Sequence, residues 1–147
     1  MTKYFFWTLV ALACLSALAK GGRDERVAAF ICLGASLVSV FLQAPLRERF
    51  SDVEMGLAGI DVITLAAFVW LALQSPRFWP LWIAGLQLST IIAHFFKAMD
   101  FGLMPRVYAV AERFWSYPIV VIVLVAALSS PWRYAEIERY RDRFAAP

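Results

Sequence analysis

The sequence predicts an all-α fold, a polytopic membrane helical bundle of five transmembrane helices followed by an amphipathic C-terminal helix. Three observations lead to this prediction: the composition, the distribution of charge and the length of the uncharged runs. Of the 147 residues, 62% are apolar and 17% are charged, whereas a soluble domain is typically about half apolar and a quarter charged. The charges gather in short clusters between long apolar runs. A bilayer selects that alternation, because a charge at the centre of a spanning helix costs roughly 2.5–3.5 kcal/mol.

Five runs carry few or no charges, and they cover residues 4–19, 27–44, 55–75, 78–96 and 114–130. A helix needs ~17–25 residues to cross a bilayer, so all five are short but usable. Glycine and proline, which commonly end helices, interrupt the chain at Gly21, Gly22, Pro45 and Pro76. Trp and Tyr, which prefer the headgroup region, mark several ends of the runs. We therefore assign residues 1–131 to the transmembrane bundle.

The first run has two interpretations. Lys3, a short apolar stretch and the small-residue ending at residues 17–19 also describe a cleavable signal peptide. However, a charged turn at residues 21–26 leads straight into the next apolar run, as in a helical hairpin. We expect the first helix to be retained. If it is cleaved, the bundle has four spans.

Residues 132–147 are expected to form a cytoplasmic tail. Ile137, Tyr140 and Phe144 fall at helical spacing among charges of both signs, which predicts a short amphipathic helix. Eight of the fourteen Lys and Arg residues lie in the first loop, the third loop and this tail. Because positive loops stay in the cytoplasm, this excess favours a cytoplasmic C-terminus.

Five polar residues stand out within the apolar runs or directly after them. Asp61 lies about two turns into the third run, and Gln87, Thr90, His94 and Lys97 recur in the fourth at steps of three, four and three. Such steps place residues on one face of a helix. Because polar groups are costly in hydrocarbon, we expect this face to meet other helices or a wet cavity.

The third and fourth runs are joined by a very short turn at residues 76–78, so we expect them to pack antiparallel. In that register Asp61 lies level with His94, one turn from Lys97, and Thr64 lies level with Thr90. The sequence therefore predicts a buried cluster of Asp61, His94 and Lys97 that Gln87, Thr64 and Thr90 extend. The candidate binding or proton-handling residues are Asp61, Gln87, Thr90, His94 and Lys97.

Three interpretations of this cluster stay open. Its residues can simply hold the helices together, since polar contacts between membrane helices are worth under about 2 kcal/mol each. They can instead bind a ligand or move protons, because intramembrane ionisable groups often mark pathways and His titrates near neutral pH. In the third interpretation, Lys97 reaches the membrane surface while His94 pairs alone with Asp61.

The sequence predicts no catalytic residues and no metal site. It has no phosphate-binding loop, nucleophile elbow or zinc-protease motif, and one His cannot supply both axial ligands of a b-type haem. Any cofactor stays unknown. The basic residues are scattered, so we expect no nucleic-acid partner. Cys14 and Cys32 fall level across the first predicted hairpin, where we expect them to pack as small side chains; a buried redox pair is the alternative.

Residues 79–118, from the fourth run into the fifth, contain several short sequence motifs. They are the stretch WPLWIAGLQL at 79–88, then His94, Tyr108-Ala109 and the stretch WSYP at 115–118. In these residues the chain resembles a group of small uncharacterised bacterial inner-membrane proteins. The resemblance implies a multi-pass location in the bacterial inner (plasma) membrane, and it implies no activity.

Five short helices with little mass outside the membrane leave few places for a reaction. We therefore expect a non-enzymatic protein, an accessory, assembly or stabilising subunit that packs against a larger membrane complex. The alternative is a small proton-coupled transporter, channel or sensor that uses the cluster of Asp61, His94 and Lys97; an intramembrane enzyme comes third. The expected partners are the lipid bilayer and other membrane proteins or further copies of the chain.

Overall fold

The computed structural model describes residues 2–43, 50–98 and 114–130, and every one of these belongs to a helix or to a short connection. None of them forms a strand, so the all-α prediction is confirmed for this part of the chain. The predicted tail at 132–147 and the side chain of Lys97 lie outside the described residues. The five helices are α1 Thr2–Lys20, α2 Arg23–Gln43, α3 Phe50–Gln74, α4 Trp79–Ala98 and α5 Phe114–Ser130.

The helices share one apolar core. Each of the first three packs against the next in the chain, so α1–α2 and α3–α4 are hairpins and α2 contacts α3. Helix α5 adds the buried side chains of Ile119 and Val123 to the same core. At its start, the ring of Tyr117 lies 5.5 Å from that of Phe6 in an edge-to-face contact, with ring centroids as the reference points. Helix α5 therefore packs against α1, at the opposite end of the sequence.

Small side chains fill the contact between α1 and α2. Ala17, Ala28 and Cys32 are buried there, and small residues let membrane helices approach closely. The Cys14 thiol donates a hydrogen bond to the carbonyl oxygen of Ala29, with a sulfur–oxygen distance of 3.7 Å. Both cysteines are free thiols within the core region, which agrees with their predicted packing role.

The first turn is shorter than the sequence predicted. Helix α2 begins at Arg23 rather than near residue 27, which leaves only Gly21 and Gly22 between the helices. The amide of Arg26 donates to the carbonyl oxygen of Gly22 (3.2 Å), and the amide of Gly22 donates to Glu25 Oε2 (3.0 Å). The first of these is the opening backbone bond of the helix, and the second is a side-chain cap from Glu25, so the helix starts among charged residues. The prediction was wrong because helix formation depends on backbone hydrogen bonds, whereas the apolar pattern reports only burial.

One segment within the described residues, Gly56–Gln74 of α3, is long and apolar enough to cross a membrane by length and composition. Only 17% of its apolar window is buried inside the protein. The apolar stretches Tyr4–Lys20 of α1 and Phe114–Ser130 of α5 are shorter. A largely uncovered apolar helix of this length is consistent with membrane association.

Candidate functional site

The α3–α4 connection sets the register of the site. It consists of four residues, and the amide of Ser75 closes α3 by donating to the carbonyl oxygen of Leu71 (2.9 Å). The Ser75 hydroxyl then accepts the amide of Arg77 (3.2 Å), and the amide of Leu81 bonds to the carbonyl oxygen of Phe78 (3.2 Å). This tight turn makes α3 and α4 antiparallel neighbours. Residues at equal distances from the turn therefore lie level with each other along the two helices.

Asp61 is held by two side chains of α4. His94 Nε2 lies 2.9 Å from Asp61 Oδ2, and Gln87 Nε2 donates to Asp61 Oδ1 at 2.9 Å. The same Gln87 amide also lies 3.4 Å from the backbone oxygen of Asp61. The predicted contact between Asp61 and His94 is confirmed, but both side chains are partly exposed rather than buried as predicted. Both carboxyl oxygens have a partner, which lowers the cost of placing this group between helices.

The burial of the network is uneven. Gln87 is buried, whereas 12% of the His94 side chain and 24% of the Asp61 side chain are exposed. When Asp61 is ionised it can only accept hydrogen bonds, so the proton in its contact with His94 then lies on Nε2. The carboxyl group is thus bonded on the side of α4 and reachable from outside the protein.

The remaining predicted site residues do not join the network in the same way. Thr90 is buried on the polar face, but its hydroxyl donates to the carbonyl oxygen of Leu86 within its own helix (3.4 Å). The backbone of Lys97 belongs to α4, and its side chain lies outside the described residues. Of the five predicted site residues, the described structure brings together Asp61, Gln87 and His94.

A second polar cluster joins the two hairpins at the C-terminal end of α3. The Glu25 side chain is fully buried and forms an ion pair with Arg77. The Ser75 hydroxyl donates to Asp24 Oδ2 at 2.6 Å. These contacts link the α1–α2 turn to the α3–α4 turn. These contacts were not predicted from the sequence, although the predicted topology places both turns on the same side of the membrane, with opposite charges available.

Comparison with models of known protein families, with characterised proteins and with solved structures finds no match to this chain. The resemblance to bacterial inner-membrane proteins therefore stays a prediction, and part of its motif, Tyr108-Ala109, lies outside the described residues.

The chemistry open to this site is that of a carboxyl–imidazole pair. Among the described residues, no three His, Cys, Asp or Glu side chains come together as metal ligands. The Asp61–His94 pair can bind and release a proton, or it can hold α3 against α4. Which of these it does depends on whether the exposed side of Asp61 meets water, lipid or another protein.

Proposed function

We propose that the chain is a five-span protein of the bacterial inner membrane. The observation that carries this proposal is the uncovered apolar surface, which occurs on every helix. Soluble monomers rarely expose contiguous apolar patches of more than a few hundred Å², whereas a protein surrounded by lipid has no need to bury them. Large exposed apolar side chains include Leu15 on α1, Phe30 on α2, Ile63 on α3, Leu81 on α4 and Val125 on α5.

Reporter fusions test the number of spans. Fusions after residues 22, 49, 77 and 106 and at the C-terminus should alternate between the two sides of the membrane, with the C-terminus in the cytoplasm. Each added span reverses the side of the reporter. If the reporters fused after residues 22 and 49 lie on the same side of the membrane, α2 does not span it.

Within the membrane, we propose a non-enzymatic role as an accessory, assembly or stabilising subunit of a larger complex. At about 1.5 Å per residue, the apolar stretches of α1 and α5 are roughly 25 Å long, shorter than the ~30 Å hydrocarbon core. Packing against neighbouring helices relieves such a mismatch. The short stretches therefore favour a helix that is covered by another membrane protein over one that meets lipid alone.

A groove between α2 and α3 supports the same role. It has a volume of about 300 Å³, and Thr64 is its one polar lining residue. Gly34 and Ala35 on one wall and Ala67 on the other are small, which permits close approach of a further helix. We place the contact with the partner's transmembrane helix in this groove.

Purification in mild detergent tests the accessory role, with two glycine variants as a matched pair. Gly34 lines the groove and Gly85 lies on α4, and a Cβ added at either meets no atom within 4 Å. Gly34→Leu should release a stoichiometric membrane partner detected by mass spectrometry, whereas Gly85→Leu should retain it. A partner that stays bound to both variants does not use the groove. A monomeric wild type without any partner contradicts the accessory role.

A proton-coupled transporter, channel or sensor is the second candidate, and the partly exposed Asp61–His94 pair favours it. In vesicles containing the protein and an internal pH dye, an acid pulse should then produce proton uptake above that of empty vesicles. Asp61→Asn and His94→Gln should abolish the uptake, and Thr90→Val should preserve it, because Thr90 bonds within its own helix. Uptake equal to that of empty vesicles would contradict proton transport.

A further inference from the structure

The charged residues on either side of the α1–α2 turn point in different directions: the acidic side chains face the protein, and the basic side chains face outward. Residues 20–26 hold three cations and two carboxylates. The fold directs both acidic side chains toward the α3–α4 turn, where Glu25 pairs with Arg77 and Asp24 accepts from Ser75. The three basic residues are exposed: Lys20, Arg23 and Arg26. The outer surface of this region therefore carries more positive charge than the net charge of its residues indicates.

The basic residues occupy the end of the bundle that also exposes aromatic side chains. The Arg77–Glu25 ion pair fixes the α3–α4 turn beside them. Phe78, directly before α4, and Trp82, in its first turn, are exposed. Cations next to exposed aromatic rings at the ends of apolar helices are typical of the headgroup layer of a membrane. This setting favours a lipid over an acidic protein as the partner of the cations.

We infer that Lys20, Arg23 and Arg26 form a surface that binds the phosphate of anionic lipid headgroups. The inference rests on the proposed membrane location. Arg26 also holds the end of α1, since its Nε and Nη2 atoms donate to the carbonyl oxygens of Ala17 (3.3 Å) and Leu18 (3.4 Å). It contributes charge from a fixed position, while Lys20 and Arg23 supply the contacts that substitution can remove without disturbing that cap.

Native mass spectrometry of the purified full chain, with added phosphatidylglycerol or phosphatidylcholine, tests the inference. The wild type should bind phosphatidylglycerol several-fold more tightly than phosphatidylcholine. Lys20→Gln and Arg23→Gln should each weaken phosphatidylglycerol binding by about fivefold, which corresponds to the ~1 kcal/mol that one cation contributes near an anionic membrane surface. Arg23→Lys keeps the charge and should retain the wild-type preference. Equal affinity of the wild type and both Gln variants for phosphatidylglycerol would overturn the inference.

Two further measurements distinguish lipid binding from phosphate binding and test the membrane location separately. Inorganic phosphate at millimolar concentration should not displace the bound lipid; displacement would assign the surface to a soluble phosphate compound and overturn the lipid assignment. Incorporation into phosphatidylcholine vesicles that resists carbonate extraction tests membrane integration by itself. A protein that incorporates but shows no preference for phosphatidylglycerol disproves only the headgroup surface, whereas a protein that is extracted disproves the proposed membrane location.

Discussion

His94 Nε2 lies 2.9 Å from Asp61 Oδ2, although 33 residues separate the two in the chain. The four-residue connection between α3 and α4 brings them level, and Gln87 occupies the other carboxyl oxygen. The carboxyl group is thus held entirely by one neighbouring helix. Whatever else the protein does, this contact ties the middle of α3 to α4.

Because Asp61 and His94 bond to each other, removing either takes one hydrogen-bond partner from the other, at a cost of about 1–3 kcal/mol. We expect Asp61→Leu and His94→Leu each to destabilise the protein in detergent, and the double variant to lose less than the two single losses added together. Thermal or denaturant unfolding measures all four proteins. Thr90→Val is the control and should be nearly neutral, since Thr90 bonds to its own helix. Additive losses would show that the pair is not coupled.

The buried ion pair between the two hairpins should be more sensitive to substitution than the exposed charges around it. Glu25 is fully buried against Arg77, and breaking a buried pair on one side typically costs about 3–5 kcal/mol. Glu25→Ala should therefore destabilise the detergent-solubilised protein strongly. Asp24→Asn keeps an oxygen that can accept from Ser75, so it should change stability much less. Similar losses of stability in both variants would show that the ion pair contributes no more to stability than the contact of Asp24 with Ser75.

Gly21 should not tolerate even one added carbon. A Cβ there would lie 2.6 Å from the carbonyl oxygen of Ala17 and 2.9 Å from Glu25 Cβ. The backbone must shift to accept it, so Gly21→Ala should destabilise by about 1–3 kcal/mol, as overpacking does. Gly34→Ala is the matched control, because its Cβ meets nothing within 4 Å. Unfolding in detergent compares the two; equal stability would mean that the first turn is looser than the structure describes.

The first helix should remain in the mature protein. Val10, Ala13 and Ala17 are among the most buried residues and pack into the common core. Cleavage after residue 19 would uncover the buried small residues of α2 that face them. Intact-mass measurement of the purified protein should therefore give a chain that starts at or near Met1. A mass that starts at Lys20 would establish four spans.

Local patterns were enough to predict the helices and one contact of the site. The apolar runs and their Gly and Pro breaks predicted five helices, and the short turn after α3 predicted the pairing of Asp61 with His94. The steps of three and four placed Gln87 and Thr90 on the same face. All of these depend on the helical period and on a connection too short to allow another arrangement.

Only the tertiary structure decided which side chains on that face bond across it and how the hairpins join. Gln87 reaches Asp61 whereas Thr90 turns back to its own backbone, and that difference depends on side-chain reach and rotation at the helix contact. The pairing of Glu25 with Arg77 spans 52 residues and requires α2 to pack on α3 with the two turns at the same end. Periodicity within a helix shows which face is covered but not which other helix covers it. The sequence therefore determined the helices and the register of one hairpin, while packing decided the contacts between hairpins.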